Sequence, residues 1–158
     1  MGKKTAYIEL NTTNQISFLH NRFTQKHFSY LGITFFPCVT VTSLSQILSL
    51  NFDYFVLDIG VINAHTEKIF FNSDTRFLVC SLSKWKVQKT REKLENLFQH
   101  NKNYMANVTV LNNLAIGKSH FLSISDLSLR IIPFPFIPNP FHLKPDVFHV
   151  FHQFLERN

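Results

Sequence analysis

Asp58 closes the apolar run Tyr54-Phe55-Val56-Leu57, and Gly60 follows two residues later. A carboxylate at the carboxyl end of an apolar strand stands where open α/β sheets bind their ligands, and a glycine there lets the backbone turn sharply or approach a bound group. Asp58 is therefore the first candidate for binding chemistry, and its alternative role is to cap the turn that follows. Other constellations lack partners. His149 and His152 stand three apart near His142, spacing that could ligate a metal on a helix, but no carboxylate or cysteine completes a set. Ser81, Ser83 and Ser119 have no G-x-S-x-G setting. Trp85 between Lys84 and Lys86 could touch nucleic acid, and its alternative is to anchor a helix to the core. A G-x-x-x-x-G-K-[ST] loop does not occur, and the four glycines cannot assemble one.

The elements that would position these residues alternate. Thr5 to Asn11 reads as a strand, residues 14–28 as a helix ended by Gly32, and Ile33 to Val41 as a strand bent at Pro37. Thr42-Ser43 opens a short amphipathic helix that leads into Tyr54 to Leu57, whose unbroken apolar character predicts a central strand covered on both faces. A short helix over Ala64 to Phe71 and a strand over Phe77 to Ser81 follow. Trp85 to His100 carries the clearest amphipathic pattern of the chain. Asn107 to Leu111 and Leu129 to Ile132 read as the last strands, with irregular chain over 117–127 between them. Pro133 to Phe141 reads as an extended apolar loop because four prolines remove donors, and Pro145-Asp146 opens a terminal helix. The alternation predicts a single domain over 1–158, a three-layer α/β sandwich with a mainly parallel sheet.

Composition narrows the class. Sixteen Lys and Arg against ten Asp and Glu give a formal charge of +6, but the basic residues are scattered, which makes nucleic acid a weak expectation. Cys38 and Cys80 both fall in apolar runs and read as small hydrophobes. No apolar run approaches the roughly 18 residues of a membrane span, and the amino terminus has no signal-peptide core, so a cytoplasmic chain is expected.

The order of these pieces resembles the ParA/MinD group of deviant-Walker P-loop ATPases. Gly2-Lys3-Lys4 leading into Thr5 to Asn11 looks like that group's second strand, Asp53 to Gly60 like its Walker B and switch II strand, Asn112-Asn113 like the Asn at the end of a later strand, and Ile132-Pro133 like the "IP" after the last. The resemblance implies a P-loop NTPase-like fold without its first strand, P-loop and first helix, incomplete at the amino terminus. It also implies a vestigial nucleotide and Mg²⁺ site at Asp58, Gly60, Glu9 and Asn112, with Asp58 as a weak metal contact. No cofactor is expected in this form, whereas Mg-ATP would be expected if a P-loop lies upstream.

Three readings follow. The chain is a degenerate or truncated ATPase domain that does not hydrolyse nucleotide and acts as a protein-interaction or dimerisation module. Alternatively it is a fragment of an active ATPase. The third is a receiver-like or flavodoxin-like module with Asp58 as phosphoacceptor, which lacks half of the acidic pair and the later lysine. The missing strand would leave Tyr54 to Leu57 paired directly with Phe77 to Ser81, or exposed along one edge and closed by a second subunit.

Overall fold

A computed structural model of the chain describes residues 2–18, 26–99, 102–113, 124, 126–137 and 145–155. It divides into two compact units, Met1–Asn72 and Ser73–Asn158, each built on its own sheet. The architecture is α/β, with one mixed and one parallel sheet.

In the first unit β1 (Thr5–Glu9) is the middle strand. Its alternate residues Ala6 and Ile8 point to one face and are completely buried, while Tyr7 points to the other. After β1 come a single helical turn, α1 (Gln15–Phe18), and a hairpin of β2 (Phe28–Tyr30) and β3 (Ile33–Phe36). Leu31 and Gly32 both have positive φ, 48° and 79°, the conformation that a two-residue turn matched to strand twist requires. Gly32 thus turns a hairpin rather than ending a helix; of the region expected to be helical over 14–28, Gln15–Phe18 is helical and Phe28 opens β2. Residues 19–25 lie outside the described ones. Beyond β3 the chain turns at Pro37 and Cys38 and enters α2 (Val41–Leu48). Its cap is Thr40, two residues before the expected start: the Thr40 hydroxyl accepts from Ser43 N at 3.3 Å, and the Ser43 hydroxyl accepts from Thr40 N at 3.2 Å. Cys38 is exposed in that turn, not in a strand.

β4 (Tyr54–Asp58) pairs in parallel with β1 from Thr5↔Tyr54 to Glu9↔Asp58, and α3 (Glu67–Asn72) follows. Lys4 N donates to the Asp53 carboxylate at 2.7 Å and holds that carboxyl below its usual pKa range, so the two strands are tied where they begin. One face of the sheet is filled by Ala6, Ile8, Phe36 and Leu44 with Phe55, Leu57, Ile47 and Ile69. The opposite face holds Ile16, Phe28 and Phe35 with Tyr7. Fully burying an aliphatic side chain such as Ile8 stabilises by about 1.5–3 kcal/mol.

The expectation that Tyr54 to Leu57 lies in the middle of a sheet is corrected. The strand order is β2-β3-β1-β4, and β4 is the margin, with Tyr54 57% and Val56 47% exposed. A continuous apolar run reads the same in a sequence whether both its edges are paired or only one.

In the second unit β5 (Arg76–Cys80), β6 (Val108–Asn113) and β7 (Arg130–Phe134) run parallel in that order. β4 is a strand of the first unit's sheet and β5 of the second's; of the two arrangements expected for Tyr54 to Leu57, β4 stands at the edge of its own sheet. Between β5 and β6 come α4 (Val87–Phe98), which buries Leu94 and Phe98, and a 3₁₀ segment, Lys102–Asn107. The middle strand β6 is buried from Val108 to Asn112. β7 extends through Pro133 and Phe134, which the sequence placed in a loop; a margin strand tolerates the proline because the missing N–H faces away from the ladder. Phe134 packs with Leu111, Ile132 and Val150, the last on α5 (Pro145–Leu155), and meets Phe151 edge-on at 6.2 Å. Phe136 is 71% exposed, and Phe141 lies outside the described residues. The expected irregular stretch over 117–127 lies mostly outside them too. No helix among the described residues is long and apolar enough to cross a membrane.

Candidate functional site

The parallel register places Glu9 directly beside Asp58 at the carboxyl ends of β1 and β4. Past these residues the strands separate, Leu10 N makes one further bond to Asp58 O at 2.8 Å, and a cavity of about 410 Å³ opens. It is lined by Leu10, Asn11, Thr12, Thr13 and Gln15 from one side and by Asp58 to Val61, Asn63 and Thr66 from the other.

Asp58 is already engaged. Its Oδ1 accepts from Gly60 N at 3.1 Å and its Oδ2 from the Tyr7 hydroxyl at 2.9 Å. The first bond is the turn-capping role. The second holds Tyr7 protonated: burial, and then the adjacent Asp58 charge, push the phenol well above its ordinary pKa. Gly60 has φ +61°, and a Cβ there would fall 2.7 Å from Asn11 Cβ. The glycine is therefore required by the approach of the two strand exits to each other.

Glu9 is completely buried. Its Oε1 accepts from Gln15 N at 2.8 Å and Ile16 N at 3.5 Å, supplying the start of α1 with an acceptor from the neighbouring strand. Oε2 has no hydrogen-bond partner among the described residues. Glu9 is not part of the cavity lining, so among the described residues Asp58 is the one carboxylate that faces that space. Asn112 belongs to the second unit, where its Oδ1 accepts from Leu82 N at 2.9 Å and fastens the exit of β5 to β6. The structure thus brings Asp58 and Gly60 to one cavity, sets Glu9 behind it, and gives Asn112 a turn-holding bond elsewhere in the chain.

Sequence reasoning missed Tyr7, Asn11 and Asn63. The Asn11 side chain holds its own loop by accepting from Thr13 N at 2.9 Å. Asn63 Oδ1 accepts from Thr66 N at 3.3 Å, while the Thr66 hydroxyl accepts from Asn63 N at 3.0 Å, a reciprocal pair that starts the turn into α3. The spacing Asn63-x-x-Thr66 was a readable signal for that turn. Tyr7 was readable as sharing a face with Glu9, but its partner Asp58 depends on a register that no local pattern gives. Trp85, expected as a core anchor, is 93% exposed in the turn before α4. His149 and His152 are exposed on α5, and His142 and Ser119 lie outside the described residues. Burial raises the Cys80 thiol to about 11.

The described lining residues carry hydroxyls, amides and one carboxylate, and none of them is a lysine or arginine. Such a surface accepts and donates hydrogen bonds to a neutral polar group, and Asp58 favours a donor or a cation. A triphosphate needs convergent backbone N–H groups and a balancing cation, and the described lining supplies no such cation. Among the described residues no group of three or more His, Cys, Asp and Glu is placed to hold a metal ion. No protein-family model matches the sequence, and no match is found among curated proteins.

Proposed function

We propose that the chain is a degenerate or truncated ParA/MinD-like domain that does not hydrolyse nucleotide and works by protein association, as a dimerisation or interaction module. The observation that carries this reading is the chemistry of the cavity at the ends of β1 and β4. It occupies the position at which an α/β sheet takes its ligand, yet it offers a carboxylate and neutral polar groups where phosphoryl transfer requires a lysine and a glycine-rich cradle. Asp58, the residue that would hold Mg²⁺ through water, has instead both oxygens in bonds within the fold. An added polyanion would meet the Asp58 charge without a cation among the described lining residues to offset it.

Isothermal titration of the purified chain with Mg²⁺ and ATP at moderate salt tests the reading. Millimolar or salt-sensitive binding, unchanged in Asp58→Ala, is the expected outcome. Micromolar, saturable binding that Asp58→Ala abolishes would overturn it.

A further inference from the structure

Between Tyr54 and Leu57 the margin of β4 has neither the shortness nor the lysine or proline with which sheet edges are commonly protected. Strands at a margin are normally very short, or carry lysine, proline or a bulge. At the far side of the same sheet β2 has three residues, and in the other sheet β7 carries Pro133. β4 has five residues, Tyr54-Phe55-Val56-Leu57-Asp58, with no proline, no basic residue and its single charge at the end.

Its outward hydrogen-bonding groups can be assigned. Tyr54 N donates to Lys4 O at 3.2 Å, and Asp58 O accepts from Leu10 N at 2.8 Å, so residues 54 and 58 turn their peptide groups toward β1. Alternation puts Val56 in the same class and leaves the N–H and C=O of Phe55 and Leu57 directed away from β1. Among the described residues no strand takes them up.

We propose that this margin binds a second copy of the chain, β4 against β4, antiparallel about a two-fold axis through Val56. The inference rests on the association reading above and specifies its surface, partner and register. The sequence of the strand is its own complement in that arrangement. Phe55 falls opposite the other copy's Leu57, and these are the residues whose peptide groups point outward, so each such pair exchanges both of its hydrogen bonds. Val56 meets Val56 in the non-hydrogen-bonded position between them. Tyr54 stands opposite Asp58, a hydroxyl donor against a carboxylate that retains acceptor capacity beside its bonds to Tyr7 and Gly60. Asp53 stands opposite Ile59, so no like charges face each other across the pair. Phe55 and Leu57 already pack in the core on one face of the sheet, so joining the two margins continues that apolar layer across the axis. The margin of β5 is a poorer match to itself, because Arg76, buried with its guanidinium 5.3 Å from the Tyr104 ring, would stand opposite the thiol of Cys80.

Sedimentation equilibrium of the full chain, with circular dichroism to verify folding, provides the first test. A reversible dimer is expected. Val56→Lys sets two ammonium groups opposite each other on the axis and is expected to raise the dissociation constant about tenfold or more, whereas Val56→Thr and the β5 variant Val79→Lys leave it unchanged. Cross-linking then fixes the register in a Cys38→Ser, Cys80→Ser background. Val56→Cys is expected to give a covalent dimer under mild oxidation, since Cα atoms about 4.5 Å apart lie within disulfide reach. Tyr54→Cys is expected not to cross-link, its two copies being about 13 Å apart along the strands. A monomer at high concentration, a dimer broken by Val79→Lys and not Val56→Lys, or equal cross-linking at both positions each overturns the proposal. Titration with Mg-ATP reads the non-catalytic assignment separately: a monomer that fails to bind nucleotide sinks this dimer alone, and a dimer that binds nucleotide tightly sinks that assignment alone.

Discussion

β4 and β7 are both the outermost strands of parallel ladders, and they are finished in opposite ways. β7 begins with Arg130, loses a backbone donor at Pro133 and turns Phe134 into a cluster with Leu111, Ile132 and Val150. β4 keeps all its donors and packs Phe55 and Leu57 on one face, but leaves Tyr54 and Val56 half exposed on the other and is tied at its two ends, by Asp53 to Lys4 N and by Asp58 to Tyr7 and Gly60. The contrast shows that an outermost strand can be packed on one face and still keep its backbone donors open, or lose a donor as well. Only the second closes it to further strands.

If packing secures β7, deleting its anchors should have the largest effects. Ile132→Ala removes a side chain that is 3% exposed and is expected to cost about 2–5 kcal/mol in urea denaturation, with Phe134→Ala somewhat below the full-burial value because that ring is only half-buried. Equal losses from Val56→Ala would erase the contrast. At β4 the next largest effect belongs to its exit: Gly60→Ala should cost about 1–3 kcal/mol, from the positive φ and the Asn11 contact together. Gly32→Ala, at a similar φ in open space, should cost less, and a reversed order would mean that the exits of β1 and β4 yield easily.

Tyr7→Phe removes one end bond of β4 and is expected to cost about 1–2 kcal/mol at neutral pH. Its pH profile separates a buried bond from a merely filled space. The folded phenol has a raised pKa, so its protonated form contributes stability that is complete below the ordinary value of 10.0 and is lost as pH rises from there toward the folded value. Wild-type stability should therefore fall above that pH more steeply than that of Tyr7→Phe. Parallel profiles would remove Tyr7 from the account. The smallest effect is expected from Val56→Thr, within about 0.5 kcal/mol for a half-exposed outermost position.

Much of this arrangement could be read from the residues. The amphipathic pattern of Val87, Leu94, Leu97 and Phe98 against charged neighbours located α4, apolar runs located β1, β4, β5, β6 and β7 within a few residues, and Asp58 and Gly60 both line the cavity. The partition into two sheets was not legible, because pairing between strands is a non-local choice that Tyr54 and Val56 do not encode by type. β2 was lost inside a helical reading because three residues are too few to show a period of two, and its turn uses Leu31 at a positive φ, where a leucine gives no signal. The two roles of Glu9 and Asp58 as acceptors for backbone and tyrosine donors required the register as well as the residue types.

The pairing of β1 also sets a schedule for the nascent chain. Its near partner β3 begins at Ile33, but its far partner begins at Tyr54, 54 − 5 = 49 residues after Thr5. At about 5–20 residues per second on the ribosome, that interval lasts on the order of several seconds. During it one side of β1 is without its ladder, and Glu9 waits for Asp58. The hairpin of β2 and β3 can form within that time, since its strands are joined by two residues and hairpins close in about 1–10 microseconds. In the order of synthesis β4 is thus the last strand available to the first unit, after the β2–β3 hairpin.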